Sequence, residues 1–127
     1  MIDIKPLMSK QYDANKYTCW DLCRDIYLLN NLGKLPAFSN IDKHGTLRGA
    51  RGIQESLKMF RPCDYEIGAL ALMRVENTPL HIGVCVGNGG ICHLDYERGV
   101  VIEFFKDLDI AGYYRYETKN NLLQTSI

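Results

Sequence analysis

The chain has 127 residues, a length that fits one globular domain and leaves no room for two. Hydrophobic residues make up 46% of it and charged residues 24%, and fifteen basic side chains balance fifteen acidic ones. Zero formal charge argues against nucleic-acid binding, which needs an excess of basic side chains, and no apolar run approaches the ~20 residues of a membrane span.

The first half of the chain predicts helices. Residues 1–16 are polar and form an irregular lead-in. From Cys19 onward, apolar residues recur at helical spacing as far as Gly33, which stands where a C-terminal cap belongs. Residues 34–50 contain Pro and Gly among polar residues and predict a long loop. A shorter helix is expected over residues 53–60.

The second half predicts strands. Short loops separate its apolar runs, so neighbouring strands should be antiparallel. Helices followed by strands predict an α+β domain, in which N-terminal helices pack on an antiparallel β-meander of about five strands. No linker interrupts the sequence, so residues 1–127 are expected to form a single domain. The predicted strands are residues 69–75, 80–86, 91–94, 100–105 and 113–116.

The cysteines and histidines predict no metal site. The N-terminus lacks the apolar core of a signal peptide, so we expect synthesis in the cytoplasm with reduced thiols. His44 lies in a polar loop and is expected to be exposed, and the three histidines follow no zinc-finger spacing. The odd count of cysteines also prevents complete pairing within the chain. They are Cys19, Cys23, Cys63, Cys85 and Cys92.

One cysteine stands at a predicted helix start. Thr18 is a good N-cap and Asp21 falls at the third helical position, a variant of the capping box, so Cys19 would be the first helical residue. Free N–H groups at a helix start favour a thiolate, with a pKa lowered from ~8.5 to well below 7, and can stabilise an oxyanion. Cys23, one turn later, is interpreted as a packing residue.

A thiol nucleophile needs a base, and the base needs a group that orients it. His81 and His93 begin and end a segment that is rich in strand-forming residues and glycine. Their separation of twelve places them on one face of a hairpin only if the turn has an odd number of residues or a bulge intervenes. A plain turn at Asn88 and Gly89 would place them on opposite faces, and direct opposition would require a turn centred on Gly87.

These motifs resemble those of the NlpC/P60 family of cysteine peptidases. The resemblance covers Cys19 at a helix start, the apolar stretch after Asp64, and the segment His-Ile-Gly-Val-Cys-Val-Gly that leads from His81 to His93. It implies a papain-like core over residues 17–116. It further implies that Cys19 is the nucleophile, His81 the base and His93 the orienting residue of a Cys-His-His triad.

The chain departs from the usual pattern of that family around the nucleophile and before the first strand, where Cys63-Asp64 replaces the usual Gly-Asp-Leu. Trp20 follows the nucleophile where cell-wall hydrolases have Ser-Gly, which is closest to the branch found in bacteriophage tail proteins. A tyrosine ahead of the nucleophile shapes the site in many members, and Tyr12 and Tyr17 are both candidates.

The resemblance implies a hydrolase that cleaves amide bonds in peptidoglycan stem peptides and needs no cofactor or metal. It also implies incorporation into a virion tail beside other phage tail proteins. The balanced charge and the lack of a long apolar run separately predict no binding to nucleic acid and no membrane insertion. Two alternatives stay open: a non-catalytic tail-assembly protein with this fold, and a thiol acyltransferase or toxin-like hydrolase with another substrate.

Overall fold

The computed structural model describes residues 2–36, 60–75 and 78–116. Within these ranges the chain forms one α-helix, six strands and two short 3-10 turns, at Lys5–Leu7 and Phe105–Asp107. The helix and strands are α1 (Cys19–Leu29), β1 (Arg61–Cys63), β2 (Leu70–Val75), β3 (Thr78–Gly87), β4 (Gly90–Asp95), β5 (Gly99–Phe104) and β6 (Ile110–Arg115).

The start of α1 confirms the predicted cap. Helix α1 begins at Cys19, and Thr18 precedes it in an extended conformation. The Asp21 carboxylate accepts hydrogen bonds from the Thr18 backbone N–H at 2.8 Å and from the Thr18 hydroxyl at 3.0 Å. The acidic side chain also lies at the positive end of the helix dipole, which stabilises it further.

The end of α1 differs from the prediction. The helix stops at Leu29, and Asn31 takes the left-handed conformation (φ 56°) expected of a C-terminal cap. The Leu32 N–H then donates to the Tyr27 carbonyl at 2.9 Å, which is the long hydrogen bond of a Schellman motif. Asparagine tolerates this conformation better than most residues, so the helix ends before Gly33 is reached.

The six strands form one antiparallel sheet in the order β1-β6-β2-β3-β4-β5. Strands β2 to β5 are joined in sequence order as a meander, as the short loops predict. After β5 the chain continues through the 3-10 turn at Phe105–Asp107 and returns past the meander, so that β6 lies between β1 and β2.

The predicted fold class is therefore wrong. The expected papain-like core of N-terminal helices on a five-stranded meander is replaced, in the described residues, by a sheet of six strands with a single α-helix. The missed strand, β1, has the sequence Arg-Pro-Cys, which carries no strand periodicity. It forms because β6 supplies a partner, with Cys63 opposite Tyr113, and Pro62 is tolerated at a sheet edge.

Two predicted elements lie largely outside the described residues. The helix expected over residues 53–60 is described only at Phe60, and the loop expected over residues 34–50 only as far as Pro36.

Both faces of the sheet are covered. Helix α1 packs on one face through a core that includes Leu22 and Ile26 on the helix and Ile82 and Val84 on β3. Cys23, 1% exposed, lies in this core, consistent with a packing residue. On the other face, small and apolar strand residues pack beneath aromatic rings and loop residues. In the described part of the chain, no helix has the length and apolar character needed to span a bilayer.

Candidate active site

The β3–β4 hairpin contains the bulge that the histidine spacing requires. Its turn has two residues with positive φ, Asn88 (54°) and Gly89 (78°), and Gly87 pairs with Gly90 across it. The register then shifts between Gly87 and Cys85, which inserts one unpaired residue into β3. The hairpin therefore combines a tight turn with a bulge, one of the two arrangements that the sequence left open.

This bulge brings the two predicted histidines into contact. Beyond it, Val84 pairs with Cys92, and the same register places Gly83 opposite His93, with His81 diagonal to it on the same face. The Nε2 atom of His81 lies 2.9 Å from Nδ1 of His93, and the two rings are nearly perpendicular. Two histidines that are twelve residues apart in the sequence are thus joined by a hydrogen bond between their side chains.

A tyrosine outside the hairpin holds both ends of the turn. The Tyr65 hydroxyl donates to the Gly90 carbonyl at 2.8 Å and accepts from the Gly87 N–H at 3.0 Å. Because these two glycines flank the turn, Tyr65 stabilises the register that places the histidines on one face.

Gly83 is needed because the strands approach closely beside His93. A Cβ added at Gly83 would lie 2.6 Å from the Cys92 carbonyl oxygen and 3.0 Å from Cβ of His93. We expect Gly83→Ala to force β3 and β4 apart, to lower the free energy of unfolding by roughly 1–3 kcal/mol, and to break the bond between the histidine rings. Chemical denaturation measures the first effect, and the ring proton spectrum measures the second.

Gly112→Ala in β6 is the matched control for this prediction. The nearest atoms to a Cβ there would belong to the Tyr114 side chain, at 3.3 Å, which can move aside. Equal effects of the two substitutions would show that the close approach at Gly83 has no special importance.

The histidine pair continues to a carboxylate that the sequence analysis missed. Nε2 of His93 lies 2.8 Å from Oε1 of Glu103 on β5. Arg98, in the turn between β4 and β5, donates to the same oxygen at 2.9 Å. Glu103 carries the only charge in β5, Gly-Val-Val-Ile-Glu-Phe, and a single carboxylate in an apolar strand is the signal that could have identified it.

Both histidines are neutral at neutral pH in this arrangement. Burial, with a smaller contribution from His93, lowers the pKa of His81 to about 4. Burial also lowers the pKa of His93, although Glu103 acts in the opposite direction. An N–H···N bond between two rings requires an unprotonated acceptor nitrogen, so the hydrogen bond and these pKa directions agree.

Cys19 lies beside Ile82, the residue that follows His81 on β3. Its thiol is within hydrogen-bonding reach of the backbone N–H groups of Ile82, Trp20 and Cys19 itself, which all lower its pKa. Burial outweighs them because the residue is only 8% exposed, and it raises the pKa of Cys19 to about 11. Among the described contacts the thiol makes no hydrogen bond to the His81 ring. The prediction of a thiolate with a pKa well below 7 is contradicted by this geometry.

Alkylation kinetics test the protonation state of this thiol. We expect the rate of Cys19 modification by iodoacetamide to rise continuously from pH 6 to pH 9, because the reactive thiolate is a minor species throughout that range. Timed labelling with peptide mass spectrometry measures the rate, and Cys23, buried in the core, should stay unlabelled in the folded protein. A plateau below pH 8 would instead indicate a stable thiolate–imidazolium pair.

The two candidate tyrosines make their described hydrogen-bond and ring contacts with residues other than Cys19, His81 and His93. The Tyr17 hydroxyl donates to the Asp25 carboxylate of α1 at 2.6 Å. Tyr12 packs edge-on against Tyr96 in the turn between β4 and β5. His44 lies outside the described residues. No group of three or more metal-ligating side chains comes together in the ranges that the structure describes.

Comparison with known proteins adds no assignment: no family model matches the chain, and no curated protein matches its sequence.

Proposed function

We propose that this protein is a cysteine hydrolase that cleaves amide bonds in peptidoglycan stem peptides, with Cys19 as nucleophile, His81 as base and His93 as orienting residue. The observation that carries the proposal is the 2.9 Å hydrogen bond between the two histidine rings, which the bulge in β3 makes possible. The Cys19 thiol meets the backbone N–H of Ile82, the residue that follows His81. The half-buried His81 imidazole is held by a second, buried imidazole, and the residue that follows it on β3 meets the helix-start cysteine, which supports nucleophilic catalysis by a thiol with an oriented base.

The proposed reaction begins with a neutral thiol and a neutral imidazole. As Sγ of Cys19 attacks the amide carbonyl carbon, its proton moves to Nδ1 of His81, the ring nitrogen not engaged by His93. The N–H groups of the first turn of α1 stabilise the oxyanion. The C–N bond then breaks, and the His81 proton goes to the leaving amine. Water, deprotonated by His81, hydrolyses the thioester and releases the acid and the thiol.

The substrate class and the setting rest on the motif resemblance. The segment from His81 to His93 and the Cys-Trp pair at the nucleophile support peptidoglycan as substrate and a virion tail as location, with other tail proteins as partners. Synthesis in the cytoplasm is part of the same proposal.

Digestion of purified peptidoglycan tests this function. The expected products carry new amino and carboxyl termini within the stem peptides, identified by mass spectrometry, and a Cys19→Ala preparation serves as the control. Intact stem peptides after prolonged digestion, or identical products from both preparations, would contradict the proposal.

One observation favours a second candidate, a non-catalytic tail-assembly protein. The Cys19 thiol is buried and makes no hydrogen bond to His81 in the described structure, as for a cysteine used only in packing. In that case neither peptidoglycan cleavage nor selective alkylation of Cys19 would be observed.

A further inference from the structure

The outer end of the histidine pair is held by a hydrogen-bond acceptor. His93 is 5% exposed, and its Nε2 meets Oε1 of Glu103 at 2.8 Å. In the β4–β5 register Ile91 stands opposite Glu103, so Glu103 and His93 lie diagonally on one face. An ionised carboxylate has acceptor sites only, so the proton of a neutral His93 must lie on Nε2.

The turn between β4 and β5 keeps Glu103 ionised and in place. Desolvation acts to raise the pKa of Glu103, but hydrogen bonds from Arg98 and His93 outweigh it and lower the pKa overall. Arg98 also donates to Asp95 at 3.2 Å, and Asp95 accepts the Arg98 and Glu97 backbone N–H groups at 2.9 and 3.0 Å. The Arg98 guanidinium therefore binds the Asp95 carboxylate and the Glu103 carboxylate at the same time.

The contact between Glu103 and His93 also determines which nitrogen of His81, the proposed base, carries a proton. With the proton of His93 on Nε2, its Nδ1 is a free acceptor. The 2.9 Å contact then requires that His81 donate from its own Nε2. The only unprotonated nitrogen left on His81 is Nδ1, which the mechanism uses as the base.

We propose that Glu103, held by Arg98, is a positioning residue that selects the Nε2-protonated tautomer of both His93 and His81. This inference rests on the proposed function for its catalytic meaning, although the tautomers themselves can be observed without any substrate. As a plain surface ion pair, Glu103 and Arg98, 27% and 56% exposed, would have no influence on the histidine protons.

Nitrogen NMR of the histidine rings tests this directly. In ring-¹⁵N-labelled protein, assigned with the help of a His44→Gln variant, both His81 and His93 are expected to show a protonated Nε2 and an unprotonated Nδ1. Glu103→Leu should produce a mixture of tautomers at both rings. Glu103→Gln should keep the wild-type pattern, because Arg98 only donates and so holds the amide oxygen where the carboxylate oxygen was.

Glu97→Leu is the matched control. It removes a carboxylate from the same turn, and among the described hydrogen bonds that carboxylate contacts neither histidine ring. A wild-type pattern that persists in Glu103→Leu would overturn the proposal. Should that variant fail to fold, the wild-type spectrum remains decisive, because a proton on Nδ1 of His93 overturns it as well.

Activity provides an independent measurement. Glu103→Leu is expected to lower kcat roughly 10- to 100-fold with little change in KM, by analogy with the effect of removing a group that orients a metal-binding histidine. Absence of hydrolysis by the wild-type protein would remove the proposed function and leave the tautomer result standing, so the two failures are distinguishable.

Discussion

Cys19→Ala and His81→Ala are each expected to abolish amide hydrolysis, with kcat reduced by about 10⁴-fold or more. The first substitution removes the only thiol at the start of α1, and the second removes the group that takes its proton. Because Cys19 enters the reaction as a thiol, neither residue can act without the other. The double variant should therefore be no slower than either single variant.

Cleavage of a stem peptide by the purified variants measures this effect, with folding verified by circular dichroism. Cys23→Ala is the matched control, because Cys23 is also a buried cysteine of α1 and lies one helical turn away. It should keep its activity and lose about 1 kcal/mol of stability through the small cavity created in the core. Substantial turnover by folded Cys19→Ala would remove Cys19 as nucleophile, and loss of turnover in Cys23→Ala would show that its packing role is wrong.

His93→Ala is expected to lower kcat by roughly 10²- to 10⁴-fold, whereas His93→Gln should retain partial activity. Alanine removes the acceptor at 2.9 Å and leaves the Nε2 proton of His81 without its protein partner. The His81 ring can then adopt the wrong tautomer or rotamer. Glutamine keeps a hydrogen-bonding group at that position, so His81 stays partly oriented.

The same peptide assay measures these rates, and the pair Cys19→Ala and Cys19→Ala/His93→Ala provides the control for additivity. The double variant should equal the single one, because an orienting residue has no role once the nucleophile is gone. Full activity in folded His93→Ala would exclude His93 from the mechanism.

Several features of the fold could be predicted from local sequence. The start of α1 follows from Thr18 and Asp21, whose hydrogen bond spans only three residues. The five predicted strands match β2 to β6 because apolar, β-branched runs between turn residues are local signals. The turn at Asn88 and Gly89 is likewise encoded by two residues that tolerate positive φ.

The candidate site was only partly predictable. The sequence identified Cys19, His81 and His93, and showed that a bulge or an odd turn was required. It did not identify Glu103, because the contact with His93 depends on the β4–β5 register, or the Tyr65 hydroxyl, which reaches the hairpin from another part of the chain.

The sequence by itself determined where α1 begins, where five strands run and which three side chains are candidates for catalysis. Only the tertiary structure decided that β6 lies between β1 and β2, that the histidine rings meet, and that the Cys19 thiol is buried and protonated. The physical reason is distance along the chain. Caps, turns and strand runs are stabilised by residues a few positions apart, whereas strand order, register and desolvation depend on segments that meet only in the folded protein.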